Sequence, residues 1–311
     1  MPIVSVVLSF RNEAPVLDEL IARLTRALES SHVGHELIFV NDASSDGSLD
    51  ILRRHAAADP RIKVITMSRT FGVAECAIAG LRAATGDAAI LMDTDLQDPP
   101  ELIPTLITHW RSGVEIVHTV RTARHGESAT KMRLTRLAYR ILRRVADINL
   151  REDAGDFKLL GRRAVDAVLQ LPETDPYLRG LISWVGFRQD YVPYERAARH
   201  AGTTHFPFFS VNPWRTFLSG LTSFSVTPLL ILLPMAAVTG LAAVVTALAA
   251  WATDATPLVW FAALLLALSS LHLFGLGVIG LYLARVYRDG RRRPAYIVDH
   301  TIGLTAPRDP S

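Results

Sequence analysis

Two long segments near the end of the chain, 226–251 and 257–284, are apolar on every side. His272 is the only His, Lys, Arg, Asp or Glu in either segment. Each is longer than the roughly 20 apolar residues that cross the hydrocarbon core of a bilayer. A surface helix of a soluble protein would instead carry a single apolar stripe. The sequence therefore predicts two transmembrane helices within 226–284, with prolines 228 and 234 near the start of the first.

The distribution of arginine predicts how these helices are oriented. The loop 252–256 contains Asp254 and no Lys or Arg, whereas five arginines follow the second segment within nine residues (285, 288, 291, 292 and 293). Basic residues flanking membrane spans favour the cytoplasmic side. We therefore expect a multi-pass protein of the plasma (bacterial inner) membrane, with the basic tail 285–311 and the domain 1–209 both cytoplasmic.

The first 120 residues alternate short β-rich runs with helical patterns. Strands are predicted at 3–8, 36–40, 62–65, 88–92 and 115–120, and helices at 15–30, from Ser48, at 73–84 and after Pro100. Such alternation predicts an α/β domain, in which helices cover both faces of a mostly parallel sheet. Ligands of such sheets bind at the carboxyl ends of the strands.

Two further segments have a membrane-related pattern. Residues 131–147 place apolar side chains on one helical arc and five arginines on the opposite arc. This is either a surface helix packed on the core or a helix apposed to anionic lipid headgroups. Residues 210–225 carry aromatic side chains that suit the headgroup level, so an interfacial helix is predicted there.

Composition excludes several classes of protein. The single cysteine, Cys76, excludes an internal disulfide framework and fits a small core residue. The net charge of +3 does not indicate a nucleic-acid partner. The chain contains neither a dinucleotide-binding glycine fingerprint nor a Walker loop, and its histidines lack zinc-ligand spacing.

The fourth predicted strand ends in a concentration of oxygen ligands. Asp93 and Asp95 flank one small residue, and Gln97 follows. Like charges this close raise each other's pKa unless a cation compensates. A hard divalent ion such as Mg²⁺ or Mn²⁺ would neutralise them and bridge to substrate phosphates. Asp98, which precedes two prolines, is interpreted as the start of the next helix rather than as a ligand.

Acidic residues also follow the first and second strands. Glu13 comes after the first strand and Asp42 after the second. Asp46 and Gly47 have the composition of an ordinary turn, and Ser48 is a candidate cap for the next helix. Three strand ends therefore deliver acidic or amide side chains to one edge of the predicted sheet.

Several motifs, in order, resemble a family 2 glycosyltransferase with a GT-A fold. They are VVLSFRNE (6–13), VNDASSDGS (40–48), SRTFGVAECAIAGLRAATGD (68–87), DTDLQDPP (93–100), AGDFKLLGRR (154–163), RGLISWVGF (179–187) and GLYLARVYRDGRRRPAYIV (280–298). More narrowly, the chain is similar to the polyprenyl-phosphate glycosyltransferases related to dolichol-phosphate mannose synthase and to bacterial undecaprenyl-phosphate sugar transferases. The resemblance spans nearly the whole chain, including both apolar segments.

The resemblance implies an inverting transfer from a nucleotide-sugar to a membrane polyprenyl phosphate. It implies that Glu13 and Asp42 bind the nucleoside with Asp93 nearby, and that Asp93, Asp95 and Gln97 hold a Mg²⁺ or Mn²⁺ ion on the diphosphate. Asp93, Asp95 and Asp156 are then the catalytic candidates, with Asp156 contacting the sugar. Because the acceptor phosphate is already an anion, positioning and charge neutralisation replace a general base.

Arginines are expected where two anions meet, because guanidinium binds phosphate oxygens in a fork. The resemblance implies that Arg196 and Arg199 bind the acceptor phosphate, and Arg121 and Arg179 are further candidates for this role. His205 is a weaker candidate, because Thr204-His205 stands where related sequences have Ser-Lys. UDP-glucose is the expected donor, for a glycan of the cell envelope or for lipopolysaccharide modification. UDP-linked amino-arabinose derivatives, GlcNAc or galacturonate, and GDP-mannose are the alternatives.

Three alternatives remain open at the level of sequence. A processive polysaccharide synthase would carry more spans and a Gln-x-x-Arg-Trp-type segment. A catalytically inactive nucleotide-sugar-binding scaffold would not need both Asp93 and Asp95. A transporter is disfavoured by having only two spans. Small residues on the second span (Gly275, Gly277 and Gly280) could pack between subunits, so a homo-oligomer is a further expectation.

Overall fold

A computed structural model of the chain describes residues 1–122, 154–171, 173, 176–195, 224–252, 257–291 and 293–304. The predicted helices at 131–147 and 210–223 lie outside these residues, as do the candidate acceptor residues Arg196, Arg199 and His205. Phe224 and Ser225, at the end of the predicted interfacial helix, are described.

The described part of the chain is organised around an eight-stranded mixed sheet in the order β7-β5-β6-β4-β1-β2-β3-β8. The strands are β1 (Ile3–Phe10), β2 (Gly34–Asn41), β3 (Ile62–Met67), β4 (Ala88–Asp93), β5 (Ile116–Arg121), β6 (Ala154–Gly161), β7 (Gln189–Tyr194) and β8 (Val298–Ile302). Strands β6 and β8 run antiparallel to their neighbours, and the other pairings are parallel.

Helices connect the strands and cover both faces of the sheet. They are α1 (Leu17–Ser30), α2 (Ser48–Ala58), α3 (Val73–Ala83), α4 (Ile103–Arg111), α5 (Arg162–Leu169) and α6 (Leu178–Trp184), with a 3₁₀ turn at Pro100–Leu102. Two buried clusters, one on each face, form the core. On β4, for example, Ile90 packs with α1 and α4, whereas Leu91 packs with α3 and α5. The period-2 alternation of strand side chains produces this two-layered core.

The predicted α/β architecture is confirmed, and the five predicted strands form within two residues of their expected bounds. Strands β6, β7 and β8 had not been predicted. Each joins the sheet through pairing with a strand distant in sequence. Local periodicity does not report such pairing, because register is set by the partner strand and the shared core.

Two long C-terminal helices match the predicted spans. After a short helix α7 (Thr227–Leu230) come α8 (Leu232–Ala252) and α9 (Pro257–Gly290). Mean hydropathy is 2.3 over Thr227–Thr246 and 1.7 over Ala267–Gly290, and neither window is buried by the rest of the protein. Pro234 falls in the first turn of α8, where the missing N–H costs nothing. Both helices are long and apolar enough to cross a membrane.

The segment predicted as a basic tail from residue 285 differs in the structure. Helix α9 continues six residues past the expected boundary, because Arg285 and Arg288 are compatible with a helix and the first break comes at Gly290. Strand β8 then pairs antiparallel with β3 at the edge of the sheet, and the Ser68 N–H donates to the Ile297 carbonyl at 3.0 Å. If α8 and α9 both cross a membrane, the sheet and the end of α9 lie on the same side of it.

The α8–α9 helix pair also contacts the sheet domain beside α6. Arg285 of α9 forms a 2.9 Å ion pair with Glu173, in the loop before α6. The Phe224 ring meets Tyr177 edge-on with centroids 6.2 Å apart. A Cβ on Gly180 would come within 2.3 Å of the Phe224 ring, so α6 needs a glycine for this close approach. Helix α6 and the loop before it therefore contact the segment that leads into the apolar helices and the end of α9.

Candidate active site

The carboxyl ends of the parallel strands meet at one edge of the sheet, and most of the predicted site residues lie there. Asp93 ends β4 and pairs with Ser9 of β1. Strand β6 runs the opposite way, with Leu91 opposite Lys158. Because β6 is antiparallel to β4, Asp156, two residues before Lys158, lies towards the edge where Asp93 ends β4. The edge therefore combines the ends of β4 and β1 with the beginning of β6.

The segment after β4 forms a tight turn that keeps its carboxylates at this edge. Leu96 adopts a left-handed conformation with φ 56°, and the Gln97 N–H donates to Asp95 Oδ1 at 3.2 Å. Asp95 is buried at 6% exposure, while Asp93 and Gln97 are partly exposed. The turn thus fixes the orientation of the Asp95 carboxylate from its own backbone.

The donor set of this turn fits a hard divalent cation that also binds substrate. Asp93, Asp95 and Gln97 offer two carboxylates and an amide, and Mg²⁺ and Mn²⁺ favour oxygen ligands of this kind. Among the described residues, no group of three or more His, Cys, Asp or Glu side chains is arranged to hold a metal ion.

The loops after β1 and β2 are joined by side-chain hydrogen bonds. Asn12, at φ 59°, accepts from the Ser45 N–H at 2.8 Å. Asp46 accepts from the Ala14 N–H at 3.2 Å, and the Ser48 hydroxyl accepts from the Glu13 N–H at 3.0 Å. These bonds hold Glu13 at the edge beside the end of β2. The expected capping role of Ser48 is wrong: it is the first residue of α2, follows the N-cap glycine, and supports Glu13.

Asp42 lies at the same edge but is almost fully buried, at 8% exposure. Its Oδ1 accepts from the Phe71 N–H at 2.7 Å. Burial and then the adjacent Asp42 carboxylate raise the pKa of the buried Cys76 thiol, so this thiol stays protonated. Asp42 therefore stabilises the loop between β3 and α3. This geometry adds a structural role to the nucleoside-binding role that the resemblance implies.

Asp156 forms a two-pronged ion pair with Arg179 of α6. Arg179 Nε donates to Oδ1 at 2.6 Å, and Nη2 donates to Oδ2. Although burial alone would raise the pKa of Asp156, the Arg179 guanidinium lowers it below its ordinary value, helped by Lys158 and Arg121. The Asp156 side chain is 38% exposed, so this pair is accessible from the edge of the sheet.

Behind this pair lies a second cation that the sequence had not identified. Lys158 is buried at 2% exposure, and burial together with Arg179 lowers its pKa to about 8, against the opposing effect of Asp156. It lies opposite His118 of β5. Burial and the charge of Lys158 lower the pKa of His118 to about 4, so His118 is neutral at pH 7.

Arg121, a candidate ligand of the acceptor phosphate, ends β5 and is bonded to the side chain of Tyr194. Its Nε donates to the Tyr194 hydroxyl at 3.3 Å. That hydroxyl in turn donates to Asp98 Oδ1. Asp98 is fully buried, so its interpretation as only a helix start is wrong. The 3₁₀ turn begins two residues later, and Asp98 instead connects the β4 turn to the strands that carry Tyr194 and Arg121.

Comparison with known proteins identifies the family of this chain. A model of the family described as "Glycosyl transferase family 2" matches residues 5–169, more than half of the sequence. The chain belongs to glycosyl transferase family 2. This match contains Glu13, Asp42, Asp93, Asp95 and Asp156 of the edge described above.

Curated relatives extend the similarity to the whole chain. The glycosyltransferase YkcC of Bacillus subtilis is 38% identical over 310 residues, covering 98% of this chain and 95% of the relative. A prophage bactoprenol glucosyl transferase homolog of Escherichia coli K12 is 35% identical and covers 85% of this chain and 87% of its own. The bactoprenol glucosyl transferase of Shigella phage SfV is 34% identical, with the same coverage.

Solved structures share the fold more distantly. The mannosyltransferase PcManGT from Pyrobaculum calidifontis, solved with GDP-Man and Mn²⁺, is 20% identical with a TM-score of 0.48. The alignment covers 94% of this chain and 77% of that one.

The candidate site contains residues and contacts that sequence reasoning had missed. Lys158 and Tyr194 had not been considered, and the pairing of Arg179 with Asp156 had not been predicted. Alternation along β6 would have set Lys158 on the same face as Asp156, had that strand been recognised. The Arg179–Asp156 pair gives no sequence signal, because its partners belong to separate elements 23 residues apart.

Proposed function

We propose that this family 2 glycosyltransferase transfers glucose from UDP-glucose to a membrane polyprenyl phosphate, with inversion at the anomeric carbon. One observation carries the proposal. One edge of the sheet carries both a carboxylate-rich turn and a cluster of cations. The turn suits a divalent ion bound to a nucleotide diphosphate, and the cations suit a second phosphate. Two membrane-length helices belong to the same chain.

The reaction needs few proton transfers. An oxygen of the acceptor phosphate attacks the anomeric carbon, a new carbon–oxygen bond forms, and the bond from that carbon to the diphosphate breaks. The products are polyprenyl-phosphate-sugar and nucleoside diphosphate. Because the attacking oxygen is already anionic at neutral pH, orientation and charge neutralisation supply most of the catalysis.

The protein supplies cations that reduce the repulsion between the acceptor phosphate and the donor diphosphate. Arg121 is a ligand for the acceptor phosphate in this proposal, with Arg196, Arg199 and His205 as the further candidates. Asp156 contacts the sugar, while its partner Arg179 contributes positive charge on the acceptor side. Arg121, Arg179 and Lys158 place positive charge on the acceptor side of the edge, which favours an incoming phosphate.

A divalent metal suits the opposite side of the site. Asp93, Asp95 and Gln97 would hold Mg²⁺ or Mn²⁺, and when bound the ion would neutralise the charge that develops on the departing diphosphate. Glu13 and Asp42, with Asp93, bind the nucleoside in this proposal. The buried and backbone-bonded position of Asp95 supports its role as a preorganised ligand.

The names of two relatives support the substrates. Proteins named bactoprenol glucosyl transferase are 34–35% identical to this chain over 85% of its length. Bactoprenol is a polyprenol, and its phosphate is membrane-bound. We assign the acceptor to this class and glucose to the donor, for a product used in cell-envelope glycan or lipopolysaccharide modification.

The membrane arrangement follows from the basic residues after α9. We propose that α8 and α9 cross the plasma membrane, with the sheet domain and the C-terminal segment in the cytoplasm, where nucleotide-sugars are made. Pairing of β8 with β3 supports a common side for both. A homo-oligomer through the apolar helices stays a prediction.

The test is a transfer assay with purified full-length protein. It offers radiolabelled nucleotide-sugars, one at a time, with undecaprenyl phosphate in detergent and with added Mg²⁺ or Mn²⁺. We expect organic-phase label from UDP-glucose, loss of label with a chelator, and none when undecaprenol replaces its phosphate. Label from no donor supports an inactive scaffold, and a growing water-soluble polymer supports a processive synthase. Either result contradicts the proposal.

A further inference from the structure

A hydrogen-bonded chain connects the β4 turn to Arg121 through two side chains, Asp98 and Tyr194. The Tyr194 hydroxyl donates to Asp98 and accepts from Arg121 Nε at 3.3 Å. Asp98 is 0% and Tyr194 6% exposed. The Tyr194 ring is fixed edge-on against Phe157 of β6, with centroids 6.3 Å apart. Both intermediate groups are thus immobilised by the core.

The chain leaves the far end of Arg121 available. Only Nε bonds to Tyr194, while the guanidinium extends over Gly155 of β6, where a Cβ would lie 3.5 Å from Nη2. Arg121 itself is partly exposed. Burial would lower the pKa of Arg121, but Tyr194 and Asp98 raise it, so the guanidinium stays protonated. A guanidinium held by Nε presents its Nη groups as a fork for phosphate oxygens.

We propose that Asp98 and Tyr194 are positioning residues that fix the Arg121 guanidinium for the phosphate of the lipid acceptor. The inference rests on the proposed function, because it assumes that Arg121 meets that phosphate. Asp98 lies three residues beyond Asp95 in the chain. The same turn therefore carries the proposed metal ligands on the donor side and Asp98, which supports Arg121 on the acceptor side. This arrangement keeps the donor and acceptor phosphates at a set separation.

The protonation state of Tyr194 agrees with this role. Burial, followed by the negative charge of Asp98, raises the pKa of Tyr194 to about 12. The phenol therefore remains a hydrogen-bond donor to Asp98 throughout the neutral range. An orienting group must keep one hydrogen-bond direction during turnover, and a neutral phenol between an acid and a guanidinium does so.

The test measures acceptor and donor binding separately, with geranyl phosphate as a soluble acceptor probe and UDP as the donor probe. Tyr194→Phe removes both hydrogen bonds and keeps the ring. We expect it to weaken geranyl phosphate binding by about 10-fold, and to lower turnover by up to about 100-fold through misplacement of Arg121. Binding of UDP should remain within twofold of wild type. Tyr191→Phe, on the same strand with its ring stacked on His118 instead, is the matched control and should bind both probes as wild type does.

A double-mutant cycle distinguishes positioning from general support of the fold. In an Arg121→Ala background, Tyr194→Phe should cause no further loss of geranyl phosphate binding. Asp98→Asn, which keeps an acceptor oxygen for Tyr194, should have a smaller effect than Tyr194→Phe and serves if that variant fails to fold. Equal losses for both probes, or an additive loss in the double mutant, would overturn the positioning role. Wild type that binds no geranyl phosphate would instead overturn the proposed acceptor.

Discussion

Two pairs of opposite charge lie on one face of the sheet, at opposite edges. Glu36 and Lys63, near the amino ends of β2 and β3, form one pair, and Asp156 and Arg179 form the other at the carboxyl edge. Glu36 is enclosed, with a side-chain exposure of 6% against 38% for Asp156. The sheet thus places one pair in its core and one at its site.

The two carboxylates also differ in how their oxygens are used. Glu36 accepts from the Ser5 hydroxyl at 2.6 Å and the Thr85 N–H at 2.7 Å, as well as from the Thr85 hydroxyl and Lys63. Asp156 has a single described partner residue in Arg179 and still faces the edge. A saturated pair supports the fold, whereas a half-exposed pair of equal charge can exchange contacts with a ligand.

The largest expected effect is on turnover, at the carboxyl edge. Asp95→Asn removes one charge from the proposed metal ligands and should lower transfer by about 1,000-fold. Its thermal unfolding midpoint in detergent should match wild type, because the amide oxygen of the substituted side chain can still accept from the Gln97 N–H. Turnover within tenfold of wild type at saturating metal would remove Asp95 from the site.

The next largest effect is on stability, at the amino edge. Lys63→Met leaves the buried Glu36 charge without its cation and should cost about 3 kcal/mol of unfolding free energy. The matched control is Arg53→Met, which breaks the exposed pair with Asp50 and should cost at most about 0.5 kcal/mol. Chemical unfolding followed by circular dichroism measures both. A loss in Lys63→Met no larger than in the control would contradict the structural role.

Asp156→Asn should mainly affect transfer, whereas Lys63→Met mainly affects stability. It leaves Arg179 and Lys158 without their compensating acid, so the sugar-side contact is lost and Arg179 reorients. We expect transfer to fall by about 100-fold, with a loss of stability smaller than that in Lys63→Met. Asp166→Asn, which breaks an exposed pair with Arg162, is the control and should leave transfer unchanged. A stability loss like that of Lys63→Met would show that both pairs are structural.

The smallest expected effect is a pH dependence of stability from Glu36. Burial would raise the pKa of Glu36, but Lys63, Ser5 and Thr85 together lower it below its ordinary value of 4.5. The stabilisation is therefore complete above about pH 4.5 and is lost as pH falls through the folded-state pKa. Glu36→Gln should unfold about 3 °C below wild type at pH 7, and this difference should shrink towards pH 4. A constant difference would contradict the linkage.

The sequence predicted the first half of the fold well, because β1 to β5 and the helices between them carry their own periodicity. It also predicted Asp93, Asp95 and Gln97 at the edge, since residues that directly follow buried strands inherit the position of the strand end. The antiparallel strands β6 and β8 could not be derived in this way. Their places depend on pairing with β4 and β3, far away in sequence.

The charges at the site were harder to predict than the strand ends. Asp98 was misread because a carboxylate before two prolines has the composition of a helix start, whereas its role depends on Tyr194, 96 residues away. Arg179 was recognised as basic, but its pairing with Asp156 requires α6 to lie over the end of β6. Side-chain partners across the sheet are a product of tertiary packing, and local sequence does not encode them separately.

One assay tests the central claim, that the carboxyl edge transfers a sugar to a lipid phosphate while the amino edge only supports the fold. Purified wild type, Asp156→Asn and Lys63→Met are given radiolabelled UDP-glucose and undecaprenyl phosphate at a temperature where all three are folded. We predict lipid-linked label from wild type and Lys63→Met at similar rates, and about 100-fold less from Asp156→Asn. Equal rates from wild type and Asp156→Asn, or equal losses in both variants, would contradict it.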